Sequence, residues 1–440
     1  MTPQQRLELA RWAVKEARQR GANESAADLS SERSITVEVR EGKVQKLQEA
    51  TRNSLSASIY LDQRFSSHST NELRRESLTR FIGEAVAMTK YLAQDPFRKL
   101  PDTKYYAGLE KRDLKLLDPG YDGLDTAERV RRAKAIEGAA RAESGKIISV
   151  EARWSDSVVR TVKVRSNGFE GEEDGTYFSM SARVTVSDGK GGRTEDFAFA
   201  WKRHLKELPD LASIGREAAQ RALRKMGQSK IASGRYDLLV ENRSAGRVFG
   251  PLVSAMTGRA LQQKSSFLEG LMGKTIAAGA LTVVEDPFIV AGAGSRLFDG
   301  EGMTAHKRAV IDKGILRTYY IDSYYSRKLG VEPTTGWPSN LVFDAGNMDL
   351  PGLVKGISKG ILVTNFIGGS SNETTGDYSF GIMGFYIDQG EIRRPVNEMN
   401  ISGNLKELWK DLVALGNDPY PYGEWRIPTL QFRNVQFSGL

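Results

Sequence analysis

The sequence predicts an α+β protein of two parts, and three observations carry that prediction. At 440 residues the chain exceeds what one ordinary core holds, so two domains are expected. Its strand signals come as consecutive meanders with the helices set apart from them, not in strict β–α alternation. From Tyr236 onward the pattern is dominated by short strands and glycine turns, with few helices. The boundary is placed at 205–232, giving a mixed α/β N-terminal domain over 1–210 and a β-rich C-terminal domain over 230–440.

Taken in order, Leu7, Leu9, Ala10, Trp12, Ala13 and Ala17 trace one face of an opening helix. Residues 34–40 alternate as a strand and end at the turn signal Glu41-Gly42, and residues 44–51 and 54–61 continue as strands. Residues 72–93 are helix-compatible, and a loop rich in Pro, Asp and Tyr fills 95–122. A second helix spans 126–144 with Thr126 or Asp125 as its cap. Strands are predicted over 147–154, 158–166, 177–187 and 194–202, the last two joined by the glycine-rich turn 188–192. A helix over 213–226 bridges the two parts. Further helices are predicted at about 244–263 and 402–416.

Composition removes whole classes of function. No cysteine occurs, so disulfides, thiolate zinc sites, iron–sulfur clusters and cysteine nucleophiles are excluded, and a reducing cytoplasm fits. No apolar run approaches the length of a membrane span, and the first residues lack the apolar core of a secretory signal. The net charge of +8 is spread thinly, without basic runs interleaved with aromatics, so nucleic acid is not the expected partner.

The motifs that resemble chemistry lack its geometry. His68, His204 and His306 are the only histidines, and no two share ligand spacing on a helix. Gly270 to Thr275 ends in G-K-T, but Leu268 stands where a phosphate loop needs its first glycine. Gly292 to Gly294 lacks the third glycine of a dinucleotide fingerprint. Gly356 to Gly360 spells G-x-S-x-G, yet a strand follows it and no histidine comes after His306. No catalytic residue is assigned. The glycine-punctuated strands over 365–390 could hold an extended peptide by strand addition, with Asn365, Gly368, Gly369, Ser370 and Tyr378 as candidate contacts. A hairpin packed on its own core explains the same pattern.

The stretches 376–396 and 398–404, with Lys264 to Leu268, Leu271 to Lys274, Phe298 to Gly302 and Gly314 to Leu316, resemble the TldD/PmbA (TldD/TldE) family, and within it the PmbA or TldE branch. That resemblance runs over nearly the whole chain. It implies that a TldD-type subunit carries zinc on an H-E-x-x-x-H helix with a C-terminal cysteine, while the PmbA-type subunit carries no ligands. Phe249, Gly250 and Ser254 fall at the positions of the two histidines and the glutamate, and Pro251 is expected to interrupt or open a helix there. The implied function is the non-catalytic subunit of a heterodimeric zinc metallopeptidase acting on unfolded peptides, with zinc in a TldD-like partner and none here. Two alternatives stay open: a stand-alone homodimeric peptide-binding protein, and an enzyme or gyrase-linked regulator in its own right. The segment Tyr420 to Arg426 departs from both branches, and its role is open.

Overall fold

The computed structural model describes residues 1–440. Its first half comprises α1 (Pro3–Gln19), β1 (Glu24–Arg40), β2 (Lys43–Leu61), β3 (Arg64–Thr70), α2 (Arg75–Thr89), α3 (Thr126–Arg141), β4 (Ile147–Arg165), β5 (Glu170–Ser187), β6 (Arg193–Lys202) and α4 (Leu211–Arg224). The strands form one antiparallel sheet in the order β3-β2-β1-β4-β5-β6. Segments predicted as separate strands prove continuous: residues 43–61 are one strand, and so are 147–165. The interruptions at 52–53 and 155–157 are polar but keep the period of two, so the ladder runs through them. The first helix opens on a capping box between Thr2 and Gln5, and Asp125, not Thr126, caps α3.

One face of this sheet is apolar and carries two successive cores. Leu29, Leu55, Ala57, Ile59, Val162 and Val164 pack under α1 and α2. Val37, Val39, Trp154, Phe178, Met180 and Val184 pack under α3 and α4. The other face is lined with hydroxyls. Thr36, Ser155 and Ser179 lie in register across β1, β4 and β5, and Thr36 Oγ1 sits 2.9 Å from Ser155 Oγ.

The second half continues with β7 (Gly234–Val240), α5 (Asn242–Ala255), α6 (Gly258–Gln262), β8 (Val283–Glu285), β9 (Arg308–Asp312), β10 (Ile315–Leu316), α7 (Ser323–Leu329), β11 (Leu341–Phe343) and α8 (Leu350–Lys355). It ends with β12 (Lys359–Ser371), β13 (Asp377–Asp388), β14 (Glu391–Asn404), α9 (Leu405–Lys410), β15 (Leu412–Leu415), β16 (Trp425–Arg426) and β17 (Leu430–Ser438). One sheet runs β10-β9-β8-β11-β16. The other runs β14-β13-β12-β7-β17-β15, and β14 also pairs with β17 through Ile401 and Phe437, so five of its strands close on themselves. The fold is α+β.

Three expectations for this half change. The helix predicted at 244–263 divides at Met256, because Thr257 accepts from the Ala260 amide and caps a new helix. The helix predicted at 402–416 shrinks to α9: residues 402–404 belong to β14, and Leu412 to Leu415 pair with β17. Pro251 does not interrupt α5, which runs through it and ends at Ala255. Proline removes one amide donor inside a helix, and the surrounding apolar packing offsets that loss here.

Candidate functional site

The helix α5 leaves β7 at Glu241, whose carboxylate takes two hydrogen bonds from Arg221 at 2.7 and 2.6 Å. Ala245, Val248, Phe249, Leu252, Val253 and Ala255 form its buried stripe. Phe249 is fully buried, with ring centroids 4.8 Å from Phe343, 5.6 Å from Trp409 and 6.0 Å from Trp425. At Gly250, an added Cβ would sit 4.0 Å from the Trp425 ring. Ser254 points elsewhere, onto a cleft of about 560 Å³ whose walls include Thr257, Arg259, Gln263, Tyr325 and Trp337. The three positions therefore diverge: one faces the core, one faces Trp425, and one faces the cleft. An aromatic ring and a glycine cannot ligate zinc, and no three His, Cys, Asp or Glu side chains converge anywhere in the chain. The residues present do not fit the metal. Of the histidines, His204 Nε2 sits 2.7 Å from the Lys115 carbonyl, His306 is exposed, and His68 lies on β3.

The glycine-rich strands adjoin that cleft. Ser370, Ser371, Asn372, Thr374, Asp377 and Tyr378 line an open groove of about 730 Å³, which shares Ser265 and Glu373 with the cleft at Ser254. Gly368 and Gly369 both have positive φ, at 128° and 95°. A side chain at Gly369 would overlap the Ser379 carbonyl on the neighbouring strand, while Gly368 faces open space. On its free side this strand end meets Arg247, whose Nη2 donates to the Gly369 carbonyl at 2.6 Å while the guanidinium covers the Phe380 ring at 4.8 Å. Tyr378 is nearly buried and stacks on Phe380 at 5.3 Å. Burial raises its hydroxyl pKa well above the usual tyrosine value.

Asn365 lies apart from the groove. Its Oδ1 accepts from Lys225 Nζ at 2.8 Å, and Lys225 also pairs with Asp196 at 2.9 Å. Arg221 approaches the same Asp196 at 3.3 Å and holds Glu241. Burial pushes the Asp196 carboxyl up, but the Lys225 and Arg221 charges outweigh it and hold the pKa below the ordinary value. Burial dominates at Lys225 and lowers its pKa. The network ties β6 and α4 to the start of α5 and to β12. Sequence reasoning missed these charges, although two signals were present: Lys225 continues the Ala218–Ala222 stripe of α4, and Asp196 keeps the inward phase of Ala198 and Ala200.

The segment Tyr420 to Arg426 also acquires a place. Tyr420 packs edge-on against Phe199 at 5.7 Å, Tyr422 lies under Lys202, and Trp425 reaches Phe249 and Trp337. It spans from the sheet of the first half to the helix of the candidate site.

The chain is an α+β protein in which a closed five-stranded sheet packs beside the helix α5. Residues 120–226 match the model of the PmbA/TldA metallopeptidase central domain, and residues 233–439 match that of its C-terminal domain. The chain is 31% identical to a metalloprotease PmbA homolog of Buchnera aphidicola over 84% of its length and 83% of the relative's. It is 30% identical to metalloprotease PmbA of Escherichia coli O157:H7, covering 87% and 85% of the two chains. Among solved structures, a proposed modulator of DNA gyrase from Bacteroides thetaiotaomicron superposes with a TM-score of 0.97 at 40% identity over all of both chains. TldE from Thermococcus kodakarensis shares the fold, with a TM-score of 0.87 at 20% identity over 98% and 100%. The chain belongs to the PmbA/TldD metallopeptidase family, in its PmbA/TldE branch.

Proposed function

We propose that this chain is the non-catalytic subunit of a two-chain zinc metallopeptidase of the cytoplasm. In this reading it shapes the chamber in which a TldD-like, zinc-bearing partner cleaves unfolded peptides. The observation that carries the reading is the fate of the helix α5: Phe249 is locked among aromatic rings, while the groove beside Ser254 stays open. Hydrolysis in this family needs a metal-activated water, and neither Phe249, Gly250 nor Ser254 can supply a ligand or a strong general base. What this chain supplies is shape. A groove that keeps a peptide extended brings the scissile bond towards its attack geometry, an effect that lowers barriers without a catalytic side chain here.

The test is reconstitution with a homologue that carries H-E-x-x-x-H. Cleavage of an unfolded peptide is expected only from the mixture, with zinc recovered in the partner. Cleavage by this chain alone at the mixture's rate, or a partner equally active without it, would sink the reading. Ser370→Leu narrows the groove at an exposed site without touching the core, and it should lower cleavage by the complex while leaving its zinc content unchanged.

A further inference from the structure

A carboxylate taken largely out of water is normally met by a donor. Glu173, on β5, is not. Its side chain keeps the phase of Ser179, on the hydroxyl-lined face of the first sheet. The flanking residues of that phase are Gly171 and Gly175. A Cβ at Gly171 would lie 2.7 Å from the Phe298 ring, and one at Gly175 would lie 2.5 Å from the Arg203 guanidinium. The two glycines let Phe298 and Arg203 close down on the strand, with Glu173 between them. Three cations act on this carboxylate through space and none bonds to it. Arg203 donates to the Gly292 and Ala293 carbonyls, Lys163 to that of Gly300 and Arg296 to that of Trp337. Burial outweighs their charges and raises the Glu173 pKa.

Glu173 lines a cavity of about 750 Å³ beyond the end of β6, which pairs with β5 only from Phe178 to Ser187. That volume suits a small organic ligand. Leu116, Leu297 and Phe298 supply an apolar wall. His204, only 8% exposed, supplies another polar group. Its Nε2 donates to the Lys115 carbonyl 2.7 Å away, so Nδ1 of the neutral ring is an acceptor, and it has no protein partner. The remaining charges of the wall are engaged or solvated. Asp118 accepts from the Gly120 and Leu205 amides, Asp113 from the Lys115 amide, and Asp174 lies 3.5 Å from both Arg6 and Arg160. Arg112 pairs with Glu110. Lys115, Lys206 and Glu172 are exposed, where water screens them. Two interior acceptors are left without a donor.

We propose that this cavity binds a small organic cation, an amidinium or ammonium group on an apolar body. Its N–H groups donate to the Glu173 carboxylate, with His204 Nδ1 as the second acceptor, and its body packs on Leu116, Leu297 and Phe298. The cavity shares no residue with the groove or with the cleft at Ser254. Its test reads binding and not cleavage, so it stands or falls apart from the peptidase reading.

The probe is p-aminobenzamidine, a fluorescent arylamidinium, titrated into the full-length chain and followed by fluorescence and calorimetry. It should bind once per chain. Glu173→Gln keeps the size of the side chain and removes a desolvated charge, so the variant should melt no lower than the wild type. It should bind the probe at least about tenfold more weakly, the loss of one charge-assisted pair. Glu172→Gln, of the opposite phase and exposed, should change binding by less than about twofold. Benzamide and benzoate carry the same ring without the cation and should each bind at least about tenfold more weakly than the probe. A wild type that binds no probe at millimolar concentration, a Glu173→Gln chain that binds it equally well, or benzamide or benzoate bound as tightly as the amidinium would each overturn the proposal.

Discussion

In the first half, one sheet carries four helices on one face, hydroxyls on the other, and an open edge at β2. In the second half, β14 bonds to β13 and, through Asn400 to Ser402, to β17, so five strands close into a ring, and Phe249, Trp409 and Phe432 pack in the core beside it. A closed sheet removes edges and commits its interior to packing. An open sheet keeps surface for contact. The helix α5 belongs to the packed region, and its buried stripe sets Phe249 among the rings of Phe343, Trp409 and Trp425.

The comparison breaks first where the two regions meet. Asp196→Ala would leave Lys225 and Arg221 facing each other while buried, at a cost of about 4 kcal/mol in urea unfolding. Little change would show that the halves are joined by shape alone. Within the packed region, Phe249→Ala should cost about 3 kcal/mol by the same measurement. Installing Phe249→His, Gly250→Glu and Ser254→His together should lower the melting temperature and bind less than one equivalent of zinc by elemental analysis, because position 249 points into the core.

Gly369→Val should cost about 2 kcal/mol by overpacking against β13, which separates it from the groove variant Ser370→Leu. A pH effect of similar size is expected at Glu301. Burial raises its carboxyl pKa to about 7, partly offset by the Ser323 hydroxyl and amide. Between the unfolded value and about 7 the folded state binds the extra proton, so stability is full in acid and declines by roughly 3 kcal/mol as pH rises through that window. Glu301→Gln should flatten the decline in pH-dependent thermal melts. The smallest effect belongs to the open face: Ser179→Leu should shift stability by no more than about 0.5 kcal/mol.

Much of this contrast could be read from the residues. Alternation at Ser34 to Arg40 and Thr194 to Lys202 marks strands because each side chain keeps its face. The helical phase of Leu7 to Ala17 does the same for α1. The glycine-punctuated strands read over 365–390 fall on β12 and β13. Local pattern failed where partners far along the chain decide the outcome. Leu412 to Leu415 look helical, yet β17 draws them into a ladder. Asn365 looked like a groove residue because it precedes Gly368, but Lys225, 140 positions away in sequence, claims its side chain. Closure of β14 onto β17 left no local mark at all.

The central place of β1 has a consequence for how the chain acquires its shape. This strand lies between β2, its hairpin neighbour, and β4, whose last paired residue is Arg165, opposite Ala26. A nascent chain can form the hairpin early, but Leu29 and Ile35 keep an unmatched flank until about 125 further residues have been made. Synthesis at roughly 5–20 residues per second makes that a wait of about 6–25 seconds. During that interval the exposed flank is a natural target for chaperones, and slowing translation between Arg40 and Ile147 would lengthen it.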